Sequence, residues 1–244
     1  MKVMKETDEN VLQSMDGLTA CTDETVEISE ANFPDEHFRR FLMEQEYGAD
    51  GKLTAEALRT IKSLDVTGRG ISSLRGIEYF TELEELHCPF NRLSELDVSR
   101  NPKLEMVFCH HNEIAALDVT GNGLLEMLYC SYNRLSELDV SRNARLSDLF
   151  CEDNEIASLD VTGNGLLEML DCSNNRLSDL DVTHNPRLES IYCEGNEIAA
   201  LDVTGNELLE TLWCPNNRMT ELDVSRNGRL KEFHYDEEKM KIIK

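Results

Sequence analysis

No run in this chain approaches the roughly 20 consecutive apolar residues of a membrane helix, and the first 20 residues lack the apolar core of a signal peptide. The chain is therefore expected to be soluble, without membrane insertion and without an export signal of its own. Positive charge is scarce too: 24 Lys and Arg stand against 48 Asp and Glu, for a formal net charge of -24. Such a surface repels phosphates and anionic lipid headgroups, and no local basic patch offsets it. Nucleic acid is excluded as a partner on this ground, and a cationic or neutral partner fits better. Also missing are a glycine-rich phosphate loop, a nucleophile paired with a base, and a cysteine placed outward beside a histidine. An enzyme would have to hide its site in the segment before the repeats.

What is present is periodic. The 244 residues are 40% hydrophobic and 30% charged, enough for one globular domain plus a cap. Cys88, Cys109, Cys130, Cys151, Cys172, Cys193 and Cys214 stand 21 residues apart, each inside the phrase LxxLxCxxN, with only Val107 and Ile191 replacing its second Leu. Counting Leu83 as position 1, seven consecutive units read LxxLxCxxNxLxxLDVSxNxx. The two halves of a unit echo each other: Leu83, Leu86, Cys88 and Asn91 return as Leu93, Leu96, Val98 and Asn101. Each coil should thus have two extended arms. Alternate side chains of an extended arm face opposite ways, so Leu86 and Cys88 point inward and His87 outward. A single coil cannot bury its apolar side alone, and stacked coils can. The asparagines should turn the corners, their amides bonding backbone groups left unpaired where the chain bends.

These residues resemble the nested 21-residue class of bacterial leucine-rich repeats, the IRREKO type, over residues 83–229 without a gap. Ile61 to Glu82, with Ile61, Leu64, Val66, Ile71 and Leu74, is similar to the 22-residue repeats of internalins. The unit from Leu230 places Tyr235 in the cysteine slot and Glu238 in the asparagine slot, a decay that suggests a polar terminal cap. The expected fold is a leucine-rich-repeat solenoid, mainly β with short parallel strands on two arms of each coil, plus a small N-terminal helical cap. Its expected bounds are a disordered acidic segment over 1–27, the helical cap over 28–60, the solenoid over 61–229 and a C-terminal capping repeat over 230–244.

In the N-terminal cap, Phe33-Pro34-Asp35 starts an expected helix through Phe38 and Phe41, with Pro34 at or near its first turn. A second is expected from Thr54 to about Ile61. Between them Asp50-Gly51-Lys52-Leu53 resembles the middle of a calcium loop, but Glu46, Gly48 and Ala57 fill its first, third and twelfth slots, so most ligands are missing. Leu18-Thr19-Ala20-Cys21 matches the box before a lipid-modified cysteine; with no apolar stretch in front, the match reads as coincidence.

The cysteine row admits three readings. In-register neighbours at about 4.8 Å lie within disulfide range, but parallel side-chain vectors do not supply the torsion near about 90°. Metal binding needs converging thiolates, whereas a stacked apolar row stays spread out and protonated. Small apolar fillers fit best. Position 10 alternates Arg92, Glu113, Arg134, Glu155, Arg176, Glu197 and Arg218, so adjacent coils should attract, with a true duplication unit of 42 residues. The row Asp97, Asp118, Asp139, Asp160, Asp181, Asp202 and Asp223 has no such alternation. Arg100, Arg142 and Arg226 could each bridge two aspartates, so a solvated, partly neutralised row is expected; a divalent-cation row is the sharper alternative.

The two arms differ in variability. LDV recurs in all seven units, always followed by Ser or Thr, whereas outward positions of the first arm diverge. Position 5 holds His87, Phe108, Tyr129, Phe150, Asp171, Tyr192 and Trp213, with His234 in the terminal cap. Positions 7 and 8 include Phe90, His110, His111 and Tyr132. Rigidly spaced outward aromatics suit a ligand-binding surface, and these eleven first-arm residues other than His234 are its candidates. A stabilising aromatic ladder is the competing explanation, which the Asp and His in the row weaken. His87, His110 and His111 could approach a transition metal, but surface histidines are the plainer reading, and no catalytic residue, metal or cofactor is assigned. The resemblance implies a secreted or bacterial cell-surface protein that contacts a protein ligand, a host or cell-surface receptor among the possibilities. Glycan binding is the alternative, an enzyme the distant third, and a monomer is expected.

Overall fold

In the computed structural model, which describes residues 25–244, the first arm of every coil forms a three-residue strand, and these strands stack into one parallel sheet. Its nine members are β3 (Ser63–Asp65), β4 (Glu85–His87), β5 (Met106–Phe108), β6 (Met127–Tyr129), β7 (Asp148–Phe150), β8 (Met169–Asp171), β9 (Ser190–Tyr192), β10 (Thr211–Trp213) and β12 (Glu232–His234). Leu86 pairs with Val107, Leu128 with Leu149 and Leu170 with Ile191, so each step across the sheet is one repeat. The register cannot slip by one residue without turning the Leu row outward.

The inward rows make one continuous core. Leu83, Leu86, Cys88, Leu93 and Val98 are fully buried and Leu96 nearly so, a pattern repeated in the later coils. Each fully buried Leu or Val contributes roughly 1.5–3 kcal/mol of transfer free energy, and no coil can realise it without neighbours.

The corners are made by asparagine, as its side-chain chemistry predicted. The Asn133 carboxamide accepts the Ile114 N–H at 3.0 Å and donates to the carbonyls of Cys109 at 3.1 Å and Cys130 at 3.0 Å. One side chain thereby ties two coils. In the second arm Asn122 donates to the carbonyls of Val98 and Asn101 at 3.2 and 2.9 Å, while its buried Oδ1 has no partner.

The two arms are unequal. Besides the main sheet, parallel strand pairing occurs among the described residues only at β11 (Glu221–Asp223) with β13 (Lys241–Ile243), closing the second arm at the C-terminal end. Elsewhere the LDV segment runs into a tight turn: the Asp97 carboxylate accepts the Ser99 N–H at 2.9 Å, and Asp118 accepts the Thr120 N–H and hydroxyl.

The N-terminal cap comprises β1 (Thr25–Glu27), α1 (Glu36–Glu44), β2 (Lys52–Thr54) and α2 (Ala55–Thr60), with β1 antiparallel to β2. The expectation of disorder through residue 27 is corrected at its end, because residues 25–27 gain backbone partners in β2. The rest of that segment, Cys21 included, lies outside the described residues. Pro34 stands next to the first turn, directly before the N-cap Asp35, and Thr54 caps α2. Phe33, Phe38, Leu42 and Leu53 are fully buried over the open end of the solenoid. Gly76 permits this: a Cβ there would stand 2.2 Å from Phe33 Cδ1.

Candidate binding surface

The sheet register sets the position-5 side chains in one row. His87 lies beside Phe108, then come Tyr129, Phe150, Asp171, Tyr192, Trp213 and His234. Ring centroids are 4.6 Å apart for His87–Phe108 and Phe108–Tyr129, and 4.5 Å for Tyr129–Phe150. Asp171 breaks the ladder, which resumes with Tyr192–Trp213 at 6.0 Å and Trp213–His234 at 4.1 Å. Leaning on one another leaves the rings from Phe108 to Trp213 half-buried, so the row both stabilises the sheet and presents its outer edge. Trp213 Nε1 and His110 Nδ1 are shielded from solvent and have no hydrogen-bond partner.

Asp171 occupies the break between Phe150 and Tyr192. Burial pushes its carboxyl up to about 6 against the pull of the Ser173 N–H bond at 3.0 Å, and the charges of Glu152 and Glu194 add to the rise. Burial also lowers the His110 pKa, helped by neighbouring His111, so both resist becoming charged.

Phe90, His111 and Tyr132 sit elsewhere: one step past the sheet, where the chain turns, in the left-handed region with φ of 56°, 54° and 54°. The same conformation holds Asp153, Asn174, Gly195 and Asn216 at the corresponding place in the other coils. The sequence reading named these residues but not their left-handed turn, for which Asp, Asn and Gly recurring at one position were the available signal. Phe90 and His111 stack at 4.5 Å with 15° between planes, and His111 and Tyr132 at 4.2 Å with 9°. His110 contacts Phe90 edge-on at 5.4 Å, linking the corner stack to the inner side of the face.

Seven of the eleven candidate residues thus form a row along the sheet, Phe90, His111 and Tyr132 form a second at the adjoining turn, and His110 lies beside Phe90. His87, His110 and His111 do not converge on a point: among the described residues, no group of three or more His, Cys, Asp or Glu is placed to hold a metal ion.

The other rows are structural. The seven repeat cysteines are buried and unpaired, and burial pushes the Cys109 thiol up to about 12, so this row presents no nucleophile. In the position-10 row each later arginine pairs with the glutamate one coil earlier: Arg134–Glu113, Arg176–Glu155 and Arg218–Glu197, all at 2.8 Å. The aspartate row is solvated as expected but lacks the arginine bridges. No ion pair within 4.0 Å involving Arg100, Arg142 or Arg226 is formed among the described residues; the Ser or Thr two residues on holds each carboxylate instead and lowers its pKa. The turn supplies donors within reach of the short Asp side chain, whereas an arginine would have to be ordered in solvent to reach it. A groove of about 710 Å³ lies on this second arm between Ser73, Glu95, Asp97, Arg100 and Asp118.

No family model matches the chain. Internalin J of Listeria monocytogenes serotype 4b (strain F2365) is 37% identical to it over 70 residues, covering 28% of this chain and 8% of that protein. The solved functional domain of InlJ from Listeria monocytogenes, which includes a cysteine ladder, is 28% identical with a TM-score of 0.51, over 88% of this chain and 62% of that one. Internalin C2 of Listeria monocytogenes, 18% identical over 87% of this chain and 98% of its own, shares the fold with a TM-score of 0.78. The chain thus spans only a small part of Internalin J and less than two thirds of the solved InlJ domain.

Proposed function

Because the chain is a bacterial internalin-like leucine-rich-repeat protein, we propose that it is a non-catalytic module that binds a protein ligand, a host or cell-surface receptor being the leading class, through its first-arm face. One observation carries this reading. Across seven coils the second arm keeps LDV followed by Ser or Thr, while first-arm positions 5, 7 and 8 change from coil to coil and gather the aromatic rings. Core packing explains the constant arm; it makes no demand that would diversify the other. Secretion or attachment to a bacterial surface accompanies the reading by analogy with the internalins.

Replacing Tyr129, Phe150, Tyr192 and Trp213 together with Ala tests the face. The fold is checked by circular dichroism, and binding by titration against a partner obtained in a proteome-wide interaction screen. Loss of binding in a folded variant supports the assignment, and unchanged affinity overturns it. Glycan binding is the second reading, favoured by the Tyr and Trp rings on this face. Against it, the corner rings stack nearly face to face and leave mainly edges for a pyranose. A glycan array run beside the protein screen separates the two.

A further inference from the structure

We propose that the corner stack Phe90–His111–Tyr132 is a docking ridge for a basic, apolar protein segment, retained at a cost to folding. The inference rests on the reading of this face as the binding face and says which part of it makes contact, and with what.

Position 8 must be left-handed in every coil, with φ between 52° and 65° across the row. For most L side chains this conformation is costly, because Cβ crowds the neighbouring carbonyl; Gly, Asn and Asp, and to some extent His, tolerate it, whereas Phe and Tyr do not. Four coils obey that preference with Asp153, Asn174, Gly195 and Asn216. The first three coils place Phe, His and Tyr there instead. They do so consecutively, which is what stacks the rings into a single ridge. Nothing in the core calls for them: Phe90 is 55% and Tyr132 45% exposed. Large exposed rings in a disfavoured conformation, beside coils that show the cheaper solution, mark a site where local folding preference has yielded to another demand.

The partner's chemistry follows from what surrounds the ridge. No Lys or Arg occupies position 5, 7 or 8 of any of the seven coils. Past Tyr132 the same face turns acidic with Glu152, Asp153, Asp171 and Glu194, and the charge of Asp153 is the main cause raising the Tyr132 hydroxyl pKa. With a formal net charge of -24, the chain offers long-range attraction to a cationic segment. The ring edges would receive its apolar side chains, and the carboxylates beyond Tyr132 its Lys or Arg.

The experiment has an arm that needs no ligand. In the F90N/H111N/Y132N variant of the full chain, Asn takes the role it already plays in two other coils. Its melting temperature is expected to stay level or to rise by about 2–4 °C, since the relief of strain at Phe90 and Tyr132 offsets two lost stacking contacts. A reproducible fall would identify the stack as a stabilising device and overturn the proposal. The second arm uses immobilised short synthetic peptides, basic or acidic, with leucine or serine at the remaining positions. Wild type should retain basic, leucine-bearing peptides, and both F90N/H111N/Y132N and E152Q/D153N should weaken that binding about tenfold or more. Binding indifferent to peptide charge, or absent, overturns the partner chemistry. If the position-5 alanine variant loses a partner's binding while the ridge variant keeps it, the ridge is wrong and the wider reading of the face stands.

Discussion

Asp35 Oδ2 accepts two hydrogen bonds from Ser72, one from its N–H at 2.9 Å and one from its hydroxyl at 2.7 Å, while Oδ1 caps α1 through the Phe38 N–H at 2.9 Å. One carboxylate therefore starts the capping helix and fastens it to the first coil, 37 residues away in sequence.

Asp35→Ala is expected to cost about 2–4 kcal/mol in urea denaturation, the sum of a lost cap and an unpaired seam. Burial raises the Asp35 pKa, but the bonds from Ser72, Phe38 and His37 outweigh it and hold it below the ordinary aspartate value. A depressed folded pKa gives stability that is complete above the unfolded value near 4 and lost as pH falls through the folded one. The wild-type advantage over D35A should therefore shrink below about pH 4; an advantage constant down to pH 2 would count against the ionised cap.

Asp171 behaves in the opposite sense. Burial, opposed by Ser173 and reinforced by Glu152 and Glu194, pushes its pKa up to about 6. The folded state then binds the proton more tightly than the unfolded state, so stability declines as pH rises from about 4 to 6. Asp171→Asn should be more stable than wild type at pH 7 by on the order of 1–2 kcal/mol, and equal to it near pH 3. Parallel pH–stability curves for the two proteins would contradict this.

Thiol chemistry reports the buried seam. Burial raises the thiol pKa along the repeat row, to about 12 at Cys109, so a disulfide-forming reagent should leave these seven unmodified in the native protein. In denaturant all eight cysteines of the chain should react, and fewer would reveal a pairing.

Asn133→Asp tests the corner network without changing side-chain size. The carboxylate keeps the acceptor for Ile114 N–H but loses the donors to the Cys109 and Cys130 carbonyls, and brings a buried charge against them. A loss of about 3–5 kcal/mol is expected by chemical denaturation, well above the cost of exposed E113Q at about 0–1 kcal/mol. Comparable costs would mean that the corner amide is not the tie between coils.

Repeat length, register and inward face were legible in Leu83, Leu86 and Cys88 because each depends on a local period that recurs every 21 residues. The paired charges of Arg134 and Glu113 were legible for the same reason: in-register stacking converts spacing into contact. In the aspartate row the sequence allowed Arg100 to bridge, and only the turn geometry shows that Ser99 bonds Asp97 directly while Arg100 acts on it through charge. The candidate face was found by its diversity, but as a single surface of outward rings.

By itself, then, the sequence determined which residues of this solenoid are buried and which change from coil to coil, since alternation along an extended arm needs no long-range information. Only the tertiary structure decided that the position-5 rings are half-buried on one another and that Phe90, His111 and Tyr132 stand at a left-handed corner. Those properties depend on the path of the turn and on a neighbour one coil away, and no residue's own chemistry contains either.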